Sequence, residues 1–214
     1  VWDQFRAHKG AMAGVIILGA LIFAVLIGPF LWQIDPNFIE RDTVKMFKSR
    51  NLPPSWAHPM GTDQLGRDTL ARMMHGGRVS LAVGTVAMLV AIFIGTSVGI
   101  LSGYFRRLDG ILMRLTDLFL ALPLLPLLLV MMMLFRGPVS GVVGPRMGTF
   151  LLIVLAIGIT SWMQAARVVR GEVLALKERE FVLAARSIGT PPRRIILRHI
   201  LPNVLSPVLV AATL

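Results

Sequence analysis

Few side chains in this sequence are placed to do chemistry, and they point in different directions. Asp117 stands at the head of a long apolar run, and a carboxylate inside a membrane span is what a proton relay in a secondary transporter would use. Arg114 precedes it by one helical turn, which makes an Arg114–Asp117 ion pair the simpler expectation. His58, Asp63 and Asp68 supply metal-ligand types, but Gly61 and Gly66 between them read as a turn-rich loop, and no metal is expected there. Ser80, Ser97, Ser102 and Ser161 have no base at a recognisable spacing, and neither HExxH nor GxSxG occurs. No glycine precedes any lysine, so a Walker A loop is absent and any ATP must be bound by another chain. With no cysteine, disulfides, thiolate metal sites and cysteine nucleophiles are excluded. These residues describe a chain that is not an enzyme and holds no cofactor of its own.

The elements that carry these residues are apolar. Of 214 residues, 55% are hydrophobic and only 15% charged, well below the quarter usual in soluble domains. Mean hydropathy is +0.74. Residues 11–32, 80–104, 118–135 and 147–166 carry no charge, and each is long enough, or nearly so, to cross a bilayer as a helix. The third is expected to begin near Ile111, taking Asp117 into the span, and to kink at Pro123 and Pro126. A fifth run starts near Ile200 and reaches only Leu214, so the last span reads as cut short. Residues 11–32 are too long for a signal-peptide core and lack a small-x-small cleavage site. The expectation is an all-α, polytopic transmembrane helical bundle.

Net charge is +11, yet the basic residues sit in short blocks between apolar runs without interleaved aromatics, a pattern of loops and not of nucleic-acid binding. Residues 1–10, 105–114 and 167–199 hold thirteen Lys/Arg against five Asp/Glu, while 33–79 and 136–146 hold nine against five. The positive-inside rule puts the first group in the cytoplasm. In the second span, Gly95, Gly99 and Gly103 recur every four residues, a spacing that lets helices pack closely without a hydrophobic driving force.

The cytoplasmic stretch 167–200 is too structured for a plain loop. Leu174, Phe181, Ala185 and Ile188 share one helical face, and Gly189 can take positive φ and end the helix. Thr190 is then placed to cap a second helix with Pro191 at its first position, and Pro202 to introduce the next span. Ala184 and Ala185 leave low relief for a partner's backbone. The spacing fits a protein-docking element and a membrane-surface helix equally well.

Ala184-Ala185-x3-Gly189, followed by Leu201-Pro202, resembles the EAA loop of ABC-importer permeases. The longer string "ARVVRGEVLALKEREFVLAARSIG" is similar to the dipeptide/oligopeptide/nickel branch. Leu183 replaces the general motif's glutamate, with Glu180 three residues earlier, and His199 replaces an aliphatic residue; both look like habits of that branch. "HPMGTDQLGRDTLARMMHGGRVSL" and "RAHKGAMAGVIIL" resemble the C-type subunit. The resemblance implies the MetI-like permease fold in a multi-pass protein of the bacterial inner membrane. Residues 1–79 would comprise the cytoplasmic N-terminus, first span and periplasmic segment, and 80–214 the permease core. It implies partners: a homologous B-type permease subunit, two cytoplasmic ABC ATPases that bind ATP and Mg, and a periplasmic or lipid-anchored substrate-binding protein. Glu180, Phe181, Ala184, Ala185, Arg186 and Gly189 would dock an ATPase. The cargo implied is a di- or oligopeptide, with nickel or another solute as the alternative within the family; a proton-coupled transporter or channel subunit is the alternative outside it. No residue is legible as a substrate contact.

Overall fold

The computed structural model describes residues 8–40 and 42–205, and these are mostly helical, with the longest connection at residues 50–68. The chain divides into two compact units, residues 1–82 and 83–214. Among the described residues, four helices are long and apolar enough to cross a membrane: Lys9–Leu31, Thr69–Tyr104, Leu124–Val143 and Pro145–Leu176. The continuation of the fifth apolar run through 206–214, and residues 1–7, lie outside the described residues.

In the first unit, α1 (Lys9–Leu31) is apolar all round and buries none of its residues against protein, which suits a helix facing lipid. Pro29 lies inside it and cannot donate to the carbonyl of Val25. Arg78 makes good that loss, donating Nε to the Val25 oxygen at 3.0 Å and Nη2 to the Leu26 oxygen, with its guanidinium 4.8 Å from the centre of the Phe30 ring. After the short α2 (Thr43–Ser49), capped by the Asp42 carboxylate, the chain enters a loop bent at Gly61 and Gly66, both at positive φ. Asp63 accepts the amides of Leu65 and Arg67 and both guanidinium groups of Arg67 and Arg72. Burial works to raise its pKa, but the Leu65 amide and the Arg67 amide and guanidinium outweigh it and hold the carboxyl below the usual carboxylate range.

Asp68 is buried and closes the loop. Its Oδ1 accepts the Ala71 amide at 2.7 Å, capping α3 (Thr69–Tyr104), and the Trp32 indole N–H at 3.2 Å. His58 Nδ1 lies 2.8 Å from Asp68 Oδ2. His58, Asp63 and Asp68 therefore face two different sets of partners and do not converge on one point.

In the second unit four expectations change. The chain breaks at Phe105, and α4 (Arg106–Leu120) is an amphipathic helix separate from the third span. Asp117 lies on α4, and its partner is Arg167 at 2.5 Å, not Arg114. The span itself, α5, is Leu124–Val143. Pro123 is its N-cap and Pro126 falls in its first turn, where no intrahelical amide bond is lost, so both start the helix instead of kinking it. Pro138 is the internal proline. Residues 136–143, expected as loop, complete α5, and a single glycine, Gly144 at φ +85°, turns the chain into α6 (Pro145–Leu176).

α6 is the centre of this unit, with Trp162, Met163, Ala166, Val169 and Val173 all buried. Gly95, Gly99 and Gly103 of α3 lie against it. A methyl group built on Gly95 would sit 2.6 Å from Ala165 Cβ, on Gly99 2.5 Å from Val169 Cβ, and on Gly103 2.7 Å from Val173 Cβ. Those distances leave room for a hydrogen and nothing larger.

Candidate functional site

The docking stretch begins where α6 ends. Residues 177–179 form a turn, so the helix expected to run unbroken from Leu174 to Ile188 is two helices, and its single face is divided. α7 (Glu180–Ser187) follows, with the Glu180 carboxylate in its first turn, where it meets the positive end of the helix dipole. Because the register restarts at Glu180, the inward residues are Val182 and Ala185, not Phe181 and Ile188. Val182 and Ala185 join Ile100, Val169, Val173, Ile195, Ile200 and Val204 in one buried cluster. Ile188 is 82% exposed and Ala185 only 8%.

Gly189 stops α7 in a Schellman motif. It sits at φ +78°, its amide bonds to the Arg186 oxygen at 3.0 Å, and the Thr190 amide reaches the Ala185 oxygen at 3.1 Å. The next helix, α8 (Pro192–Ile195), is capped by Pro191 with Pro192 at its first position, one residue later than the Thr190–Pro191 start expected. It runs on through a π-helical turn, Ile196–Ile200, into helix at 201–205. Pro202 thus lies within a continuing helix. Its ring would strike the carbonyl of Arg198 in regular α geometry, and the wider turn, with the Leu201 amide on the Ile196 oxygen, makes room for it.

Of the residues expected to dock a partner, Glu180, Phe181, Ala184 and Arg186 lie on the outward side of α7, Ala185 faces inward, and Gly189 ends the helix. The Arg186 guanidinium lies 5.7 Å from the Tyr104 ring centre, and the Phe181 and His199 rings are 6.2 Å apart. Beside α7 an open cleft of about 670 Å³ is lined by Leu176, Glu178, Arg179, Glu180, Phe181 and Asn203. The outward surface is therefore a shallow, mixed apolar and charged face, held from behind by a packed core.

Other contacts fix the stem of this loop, and none was legible in the sequence. Arg170 on α6 makes a two-pronged pair with Asp109 on α4, Nε to Oδ1 at 2.5 Å and Nη2 to Oδ2 at 2.7 Å. The Arg170 guanidinium holds the Asp109 carboxyl below the usual carboxylate range, against the opposing effect of burial. Lys177 Nζ reaches the Gly103 oxygen at 3.4 Å.

Residues 91–214 match the family described as the binding-protein-dependent transport system inner membrane component, and residues 1–54 match the N-terminal TM domain of oligopeptide transport permease C. The dipeptide transport system permease protein DppC of Bacillus subtilis is 39% identical over 214 residues, covering 100% of this chain and 62% of that protein. The oligopeptide transport system permease proteins OppC of Bacillus subtilis and Haemophilus influenzae are each 36% identical, over 99% of this chain and 64% and 63% of their own lengths. The chain thus spans somewhat under two thirds of these relatives. With helices of spanning length and a family match over more than half its residues, the chain belongs to the binding-protein-dependent transport system inner membrane components.

Proposed function

We propose that this chain is a permease subunit of an ATP-driven ABC importer that moves di- or oligopeptides across the bacterial inner membrane. The observation that carries this reading is α7: an eight-residue helix stopped by Gly189, anchored inward by Val182 and Ala185, and presenting Phe181, Ala184 and Arg186 outward. Its inner face belongs to the same cluster as Val169 and Val173 of α6, so a push on α7 is delivered to a spanning helix. The names of the relatives support a peptide cargo.

In this reading residues 167–200 face the cytoplasm, where an ATPase subunit docks on α7. A homologous permease pairs with this chain to enclose the path, a second ATPase serves that partner, and a substrate-binding protein delivers cargo from outside. ATP and Mg belong to the ATPases. ATP-driven closure of the ATPases moves α7, and the tightly packed α3–α6 pair carries that motion into the membrane as an alternating-access change. The pairing of Asp117 with Arg167 removes the free carboxylate on which a proton-coupled mechanism would lean.

The test is uptake of radiolabelled trialanine into proteoliposomes holding the full-length permease pair, its ATPases and its binding protein. Uptake that requires ATP and active ATPases is expected. Uptake driven by an imposed proton gradient without ATP would overturn the proposal.

A further inference from the structure

Apolar packing holds α4 mainly at its C-terminal end, where Phe119 and Leu120 lie against the buried cluster of Ala91, Trp162, Met163 and Ala166. Ile111 and Leu118 are largely exposed, Leu108 and Leu115 are also exposed, and Thr116 is the helix's buried residue. What joins it to α6 is a ladder of specific contacts in antiparallel order. Asp109 meets Arg170 through two bonds, Asp117 meets Arg167 at 2.5 Å, and the Phe119 ring stands edge-on to Trp162 with centroids 6.0 Å apart. Going up α4 through 109, 117 and 119, the partners go down α6 through 170, 167 and 162. The paired residues are 61 and 50 positions apart in sequence, so these contacts are tertiary.

The first rung is the strongest, because a two-pronged arginine–carboxylate pair fixes orientation as well as distance, and both side chains are about two-thirds or more covered. The second is half exposed and single-pronged. α6 leads directly into the turn before α7, while α4 leads through residues 121–123 into α5. The ladder thus links the stem of the docking helix to the helix that feeds α5, and the Lys177 charge in the turn before α7 acts on Asp109 as well.

We infer that Asp109 and Asp117 are positioning residues: with Arg170 and Arg167 they clamp α4 to the stem of the docking helix, so that α4 moves with α7 and draws α5 along. This rests on α7 being the ATPase-docking element. Losing the clamp would leave ATP hydrolysis in place and detach it from the movement of cargo.

The experiment measures trialanine uptake per ATP hydrolysed by the complete transporter with Asp109→Asn. The ratio is expected to fall roughly fivefold or more, and the exchanged pair Asp109→Arg with Arg170→Asp to recover much of it. Asp117→Asn, whose pair is already half exposed, serves if the first variant does not assemble, with a smaller fall. An unchanged ratio in an assembled variant overturns the inference. If the parent itself shows no ATP-dependent uptake, the importer reading fails and the clamp is judged separately, from spin labels at Leu115 and Ile188 in the bilayer-embedded chain. A narrow distance distribution that broadens in the asparagine variant supports the clamp, and equal widths overturn it.

Discussion

Replacing Gly99 with alanine separates two opposing effects of known sign. Alanine is the better helix former by about 1 kcal/mol, so in open surroundings the change stabilises. Gly171 is such a place, since a methyl group there meets nothing within 4 Å. At Gly99 the new methyl would lie 2.5 Å from Val169 Cβ, 2.6 Å from Val169 Cγ1 and 2.7 Å from the Ala166 oxygen, all short of the 3.4 Å at which ordinary contact begins. Val169 is fully buried and β-branched, and the Ala166 oxygen is backbone, so neither can swing aside. The helices must part by about 0.9 Å at this point. Overpacking of this kind costs about 1–3 kcal/mol, which cancels or exceeds the propensity gain. Thermal unfolding of the full-length protein in detergent, followed by loss of the monodisperse peak, is the assay. Gly99→Ala should melt below Gly171→Ala by several degrees, with Gly171→Ala at or slightly above the parent. Equal melting temperatures for the two variants would refute the close-packing argument.

Gly189→Ala forces a Cβ into left-handed backbone and should cost about 1–2 kcal/mol, read as a lower melting temperature. Asp68→Ala removes the cap of α3 and the acceptor for Trp32 and His58 together, and should cost more than Asp42→Ala, which breaks one exposed cap worth about 1 kcal/mol; the two melting curves decide this. Asp63 has a lowered pKa in the folded protein, so its stabilising effect is present above the usual value of 3.8 and is lost as pH falls below that through the lowered value. The melting difference between the parent and Asp63→Asn should therefore be constant from neutral pH to about pH 5 and shrink only below 3.8.

The spans and the glycine that ends α7 are readable because each leaves a local mark: an uncharged run of spanning length, and a glycine where a helix must stop. The errors arose where a local pattern had to be read across a break. Leu174 and Ile188 share a face only if the helix is continuous, and the turn at 177–179 shifts the register so that Val182 points inward. Residues 111–135 are apolar enough to join, which would take Asp117 into the third span. Yet the chain leaves the helix at 121–123, where Pro123 lacks an amide to continue it and caps α5 instead. Arg114 lies one turn from Asp117, whereas Arg167 lies 50 residues away and becomes a neighbour only when α4 folds back on α6. The Asp109–Arg170 pair left no trace for the same reason: two charges in separate basic blocks have no spacing that links them.

The docking reading is tested most directly by a single cysteine, since the chain has none of its own. Ala184→Cys places the thiol on the outward face of α7, and Ala185→Cys, 8% exposed in the parent residue, serves as the inward control. In membranes containing the full-length permease and its ATPases, Ala184→Cys should form a disulfide with a cysteine in the ATPase cleft, in a yield that changes with nucleotide, and Ala185→Cys should form far less. No ATPase adduct at Ala184→Cys, with the thiol reached by a water-soluble maleimide only after lipid is removed, would mean that α7 lies on the membrane surface and is not the coupling element.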